Sequence, residues 1–185
     1  MIVQEKLSAV QFDAFITQPE QLNRRFELIH GGIVEKMPTQ LHGYIIQMLS
    51  GFLFMFLRQN PIGYALIEAR YRLPGDSEND LIPDLSFVTH AHGALVTQGA
   101  APYMPDLAVE AQSDGQSDKF MFDKAQVYLA HGTRLVWLLY SRRGIIEVLS
   151  STDRQLLTLD DTLAGGDVLP GFSVSVRELF PAAGK

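Results

Sequence analysis

Residues Tyr103–Ser113 read YMPDLAVEAQS, an apolar run with one carboxylate, Glu110, in its middle. Along a strand the side chains alternate, so Asp106, Ala108 and Glu110 take one face and Leu107, Val109 and Ala111 the other. A strand made only for packing would carry another Val or Leu at position 110, because an unpaired carboxylate inside a strand is costly. Upstream, Leu81–Val88 (LIPDLSFV) opens with the same Pro-Asp-Leu and supplies Asp84. Downstream, Ser117 or Asp118 caps a helix that ends near His131, with Gly132 in the stop position. Leu135–Tyr140 (LVWLLY) is apolar almost throughout, the pattern of a strand buried on both faces. Strand, helix, strand at this spacing predicts a right-handed parallel crossover and an α/β fold.

Outward from that unit the chain reads as short elements. A helix is predicted over Ser8–Thr17, and Arg25–Ile29 and Ile33–Met37 form a hairpin around His30-Gly31-Gly32. Thr39 caps a long apolar helix that runs to about Gln59. Gly63–Leu73 alternates, placing Glu68, Arg70 and Arg72 on one face and Ile67, Ala69 and Tyr71 on the other. Thr89–Ala101, with His90 and His92, reads as a loop. After Leu135–Tyr140 come a hairpin partner at Ile145–Leu149, short β pieces at Gln155–Leu159 and Val168–Val174, and a helix at Val176–Phe180.

The length of 185 residues fits one domain over 1–185, and 46% hydrophobic against 19% charged residues is an ordinary globular balance. No cysteine is present, which excludes structural disulfides and thiolate zinc sites and fits the cytoplasm as the expected compartment. The N-terminal MIVQEKLSAVQFDAF lacks a basic region leading into an apolar run, so no signal peptide is expected. Tyr44–Leu57 is interrupted by Gln47, Ser50 and Gly51 and falls short of the ~20 apolar residues a bilayer requires. It is read as a buried core helix or a subunit contact, with no membrane partner. The net charge of -6 means that a nucleic-acid binder built on this chain must localise its basic groups or recruit metal ions.

If the strands after Asp84 and through Glu110 pair, the two carboxylates converge on one divalent cation. Magnesium suits oxygen ligands of this kind, with manganese as a substitute. A metal so held lowers the pKa of water and stabilises charge on a phosphate, which points to phosphodiester hydrolysis. The plainer reading makes Asp84 and Asp106 turn residues after proline. Lys124 lies within the apolar stripe of Met121, Ala125, Tyr128 and Leu129, either directed at the Glu110 strand or running its stem along apolar surface to water. Glu27 is a third carboxylate of the site or the solvent side of the hairpin. His42 orients a phosphate, acts as an acid, or is a polar residue at a helix start. Arg70 and Arg72 contact a phosphate backbone or form a solvated strand face. Gly-rich phosphate loops, a serine nucleophile elbow and the dinucleotide fingerprint are absent.

The blocks RFELIHGGIVEKMP, LHG opening a helix, IPDLSFV, MPDLAVEAQS, DKAQVYLAHGTRLVWLL and VLPGFSVSVRELF follow in order along almost the whole chain. Together they resemble the bacterial putative restriction endonuclease family, a former domain of unknown function within the PD-(D/E)XK nuclease superfamily. The resemblance implies a restriction endonuclease-like core with a mixed central sheet flanked by helices, often a homodimer, with Mg2+ as cofactor and DNA as substrate. By that resemblance Asp84 matches the aspartate of the first Pro-Asp block and Glu110 the acidic residue of the next strand. Gln112 stands where the superfamily's usual lysine would be and assists. Lys124 matches a lysine moved to the following helix, which orients the attacking water or stabilises developing charge. Glu27 and His42 match the acidic residue of the first hairpin and the histidine at the helix start. Departures at His30-Gly31-Gly32 (commonly Asp-Gly-Glu) and Ser113-Asp114 (commonly Ser-Pro) leave these positions untouched and bear on substrate choice. The implied function is a magnesium-dependent DNA endonuclease. The alternatives are a binding or regulatory protein without turnover on the same scaffold, and a hydrolase of small phosphoesters.

Overall fold

The structure is a computed structural model that describes residues 6–181. Helix α1 (Ala9–Ile16) starts at Ser8, whose hydroxyl accepts from the Gln11 amide while the Gln11 side chain returns to the Ser8 N–H. The hairpin of β1 (Phe26–Ile29) and β2 (Gly32–Glu35) turns through His30 and Gly31, both at positive φ (50° and 77°). That is the two-residue turn whose twist matches paired strands. Helix α2 (Gln40–Gln59) is capped by Thr39, which accepts from the His42 N–H at 3.2 Å.

The remaining elements are β3 (Gly63–Ile67), β4 (Leu85–Thr89), β5 (Leu107–Ala111), α3 (Asp118–Ala130), β6 (Leu135–Tyr140), β7 (Ile145–Leu149), β8 (Arg154–Leu157), β9 (Thr162–Ala164), β10 (Ser173–Ser175) and α4 (Val176–Leu179). Strands β3 to β8 lie side by side in chain order as one mixed sheet. Only β5 and β6 are parallel, joined by α3 as the crossover, and the other neighbours are antiparallel. One face of the sheet, with Phe87, Leu107, Val109 and Trp137, packs on Ile45, Leu49 and Leu53 of α2 and on the small β9–β10 unit. The other face, with Ala108, Val136 and Leu138, packs on Met121, Ala125 and Tyr128 of α3. A third cluster of Ala9, Phe12, Phe26 and Leu28 fastens α1 to one side of the hairpin.

Three elements differ from the sequence reading. Strand β3 stops at Ile67 because Glu68 takes a positive φ of 49°, and Tyr71 then meets Leu81 and Ala101 through single bridges. Glu68, Arg70 and Arg72 therefore do not share a strand face. Helix α2 is 20 residues long, long and apolar enough by composition to cross a membrane, yet it is buried on one side only. Its outward side leaves Tyr44, Phe54 and Met55 exposed. Near the C-terminus, residues 168–171 are a turn, and the β pieces are β9 and β10 on either side of it.

Candidate active site

Antiparallel pairing of β4 and β5 sets Leu85 against Val109, and one further step of that register sets Asp84 across from Glu110. Both side chains leave the sheet on the α3 side, since Asp84 is in phase with Ser86 and Val88, and Glu110 with Ala108. The Asp84 Oδ2 atom accepts from the Ala111 N–H at 2.8 Å, so the aspartate closes the end of the ladder. Helix α3 lays Lys124 and Tyr128, one turn apart, over the same spot. The Lys124 ammonium lies 2.7 Å from Glu110 Oε1 and 2.7 Å from Glu27 Oε2, and the Tyr128 hydroxyl donates to Glu110 Oε1 at 2.7 Å.

Glu27 arrives from the hairpin, whose two sides are both covered. Phe26 and Leu28 face α1, while Glu27 faces the end of the sheet and accepts from the Ile82 N–H at 2.7 Å. It is 1% exposed, so the solvent-side reading does not hold for it. Lys36, just past β2, completes the group. Its ammonium donates to the Ile82 carbonyl at 2.7 Å and sits 2.5 Å from Asp84 Oδ1. His42, in the first turn of α2, places Nε2 3.5 Å from Asp84 Oδ2 and Nδ1 3.4 Å from the Ser113 hydroxyl. A cleft of about 250 Å³, lined by Pro38, His42, Gly43, Gln47, Glu68 and Asp84 among others, opens onto this group.

Three carboxylates thus share two ammoniums in a buried space. Burial raises the Glu110 carboxyl to about 7, with Asp84 and Glu27 adding repulsion that Lys124 and Lys36 only partly offset. Burial also works against Asp84 ionising, but Lys36, His42 and Lys124 outweigh it and hold Asp84 well below the usual carboxylate range. Lys124 is charged despite its burial, because Glu110 and Glu27 raise it above the ordinary lysine value. Burial and the adjacent Glu110 keep the Tyr128 hydroxyl protonated. Among the described residues no three His, Cys, Asp or Glu side chains form a ready-made metal cage. The acceptors gathered here are carboxylate oxygens, the kind a hard divalent cation takes; those of Asp84 and Glu27 already have partners, and the group carries one more carboxylate than ammonium.

The family model described as Uma2, putative restriction endonuclease, matches residues 11–177. The chain belongs to the Uma2 family. A putative nuclease belonging to DUF820 from Anabaena variabilis has a crystal structure that superposes with a TM-score of 0.76. It is 23% identical, and the match covers 91% of this chain and 96% of that one, a likeness of fold. Comparison with curated proteins finds no match.

Within this Uma2 chain the structure brings Glu27, His42, Asp84, Glu110 and Lys124 together, and places three other candidates elsewhere. Gln112 lies past the end of β5, where the alternation lapses, and its amide donates to the Gln116 carbonyl and to Asp118 Oδ1, both at 3.0 Å. Arg70 and Arg72 clasp Asp13 of α1 and the fully buried Asp80, and these carboxylates account for both guanidiniums. His92 lies at the opposite end of β4 and β5, stacked on Tyr103 and 3.2 Å from Asp106. Two members of the group were not singled out from sequence. In the sequence Tyr128 is only part of an apolar stripe, and the one signal for Lys36 is its phase with Val34, which pairs with Glu27.

Proposed function

We propose that this Uma2 protein is a magnesium-dependent endonuclease that hydrolyses phosphodiester bonds in DNA, with Mn2+ able to substitute. The observation that carries this reading is the buried meeting of Glu27, Asp84 and Glu110 with Lys36 and Lys124 beside an open cleft. Asp84 and Glu110 are the residues that would hold the cation. When bound there, it would lower the pKa of a water and offset charge on the phosphate. Glu27 holds Lys124 from behind, so its ammonium is fixed beside Glu110 and suits the stabilisation of developing negative charge. Tyr128 fixes the orientation of Glu110 by its hydrogen bond. His42 lines the cleft and would contact an incoming phosphate.

The test is nicking of supercoiled plasmid by the purified full chain with Mg2+ or Mn2+, comparing wild type with Asp84→Asn and Lys124→Ala. Nicking by wild type that both substitutions abolish supports the reading, while equal nicking by all three would trace to a contaminant. Metal binding without turnover on plasmid or on mononucleotide esters would leave a binding scaffold. A homodimer is also proposed, since Tyr44, Phe54 and Met55 of α2 and Tyr64 and Ile67 of the edge strand β3 are exposed. Sedimentation equilibrium tests it directly.

A further inference from the structure

Lys36 and Lys124 are held differently. Lys124 is locked between two carboxylates at 2.7 Å each, and its side chain is 2% exposed. Lys36 touches one carboxylate, through the Asp84 oxygen that is not bound to the β5 backbone. Its neighbour Met37 is 69% exposed, and the cleft that reaches Asp84 is lined by Pro38, two residues on. The Lys36 side chain, 9% exposed against 2% for Lys124, is also the less enclosed of the two, and its partner Asp84 lines the cleft.

A divalent cation that binds Asp84 needs an oxygen that Lys36 now occupies, and two cations cannot share it at 2.5 Å without strong repulsion. Resting on the reading of Asp84 and Glu110 as cation ligands, we propose that Lys36 is a resident counter-ion of Asp84 that the metal displaces, and that the freed ammonium then faces the phosphate in the cleft. Before metal arrives, Lys36 keeps a buried carboxylate satisfied. Once displaced, it adds a second positive group where charge develops in the reaction. One side chain thus serves the empty and the loaded site in turn.

The proposal predicts opposite signs for two measurements, which a purely structural lysine would not produce. In Lys36→Met, Mn2+ measured by calorimetry should bind about tenfold or more tightly than in wild type, because its competitor is gone. Plasmid nicking at saturating Mn2+ should fall about a hundredfold, because the phosphate loses an ammonium. Lys36→Gln, which keeps a donor for the Ile82 carbonyl, should behave alike if the methionine variant folds poorly. Unchanged or weaker Mn2+ binding in a folded variant, or undiminished nicking, overturns the proposal. So does failure of both variants to fold even with Mn2+, since Lys36 would then be structural. Asp84→Asn separates the underlying reading: wild type that binds no Mn2+ sinks both claims. Wild type that binds Mn2+ at Asp84 without nicking sinks only the nuclease reading, and the change in affinity then decides the role of Lys36.

Discussion

Replacing Lys124 by methionine removes the ammonium that Glu27 and Glu110 share while keeping most of the apolar stem. Each contact is 2.7 Å long, and the three side chains are 1–5% exposed. At an effective dielectric of about 20, each pair is worth about 6 kcal/mol of gross attraction, much of it offset by the desolvation of the ions. Substitution does not return that desolvation, because the carboxylates stay buried and now repel one another. The net loss should be about 3–5 kcal/mol, or roughly 10 °C in the melting temperature of a domain of this size. The loss should also depend on pH. The Glu110 carboxyl is raised from 4.5 to about 7 in the fold, so its protonated form is favoured there and stability falls as pH rises through that interval. Below about 7 the folded Glu110 is neutral and Lys124→Met breaks one ion pair, whereas above it the substitution leaves repelling carboxylates. Urea unfolding followed by circular dichroism at about pH 5.5 and about pH 8.5 reads the difference, with the larger penalty at the higher pH. Glu110→Gln placed on top of Lys124→Met should recover part of it. A penalty under about 1 kcal/mol, as for a lysine whose head reaches water, or one equal at both pH values, would refute the geometry.

Asp13 is lowered to about 2, chiefly by its hydrogen bond to Arg72, with burial opposing and Arg70 assisting. Its stabilising contribution is present above its ordinary 3.8 and lost as pH falls through about 2. Asp13→Asn should cost about 1 kcal/mol at neutral pH after screening of a half-exposed group, and an acid titration should show the difference closing near the lower value. Gly63→Ala should destabilise by about 3 kcal/mol in a thermal melt, because an added Cβ would sit 2.1 Å from the Val88 carbonyl oxygen and 2.7 Å from the Phe87 ring. Glu68→Gly should raise the unfolding free energy measured in urea by up to about 1 kcal/mol, since relief of the positive φ outweighs an exposed pair with Arg25. Among the described lysines and arginines all but Arg58 pair with a carboxylate. DNA binding should therefore depend weakly on salt, with a log–log slope no steeper than about −2 in a filter-binding titration.

How much of the site could be read from the chain depended on how far each signal travelled. The β5–α3–β6 unit and the phase of Glu110 are local, because period-two alternation and a helix stripe need only a dozen neighbouring residues. The burial of Glu27 is not local: alternation assigns it a side but cannot say that α1 covers one side of the hairpin and the sheet end the other. Arg70 and Arg72 are placed by Asp13, more than fifty residues away, and by a backbone break at Glu68 that the alternating pattern concealed. Lys36 turned on a single residue of register. With His30-Gly31-Gly32 taken as the turn, Glu27 would face Glu35 and Lys36 would point the other way. The two-residue turn through His30 and Gly31 pairs Glu27 with Val34 and brings Lys36 to the same side.

Charge balance explains why an acidic chain can hold such a site. Elsewhere in the described fold the buried carboxylates have partners: Asp80, with Asp13, pairs with Arg70 and Arg72, Glu147 with Arg154 and the Tyr140 hydroxyl, and Asp106 with Arg134 and the Thr89 N–H. The group of Glu27, Asp84 and Glu110 is different, since Lys36 and Lys124 leave it one positive charge short, and repulsion from Asp84 and Glu27 adds to the burial that raises Glu110. A fold selected for stability alone would be better served by an amide or an apolar residue at position 110. Keeping an extra acid there, beside a cleft, makes sense where a further cation is to be bound, and a cation is also what lets a polyanion approach a protein of net charge -6. On the proposed reading, the same imbalance is what a bound divalent ion would offset.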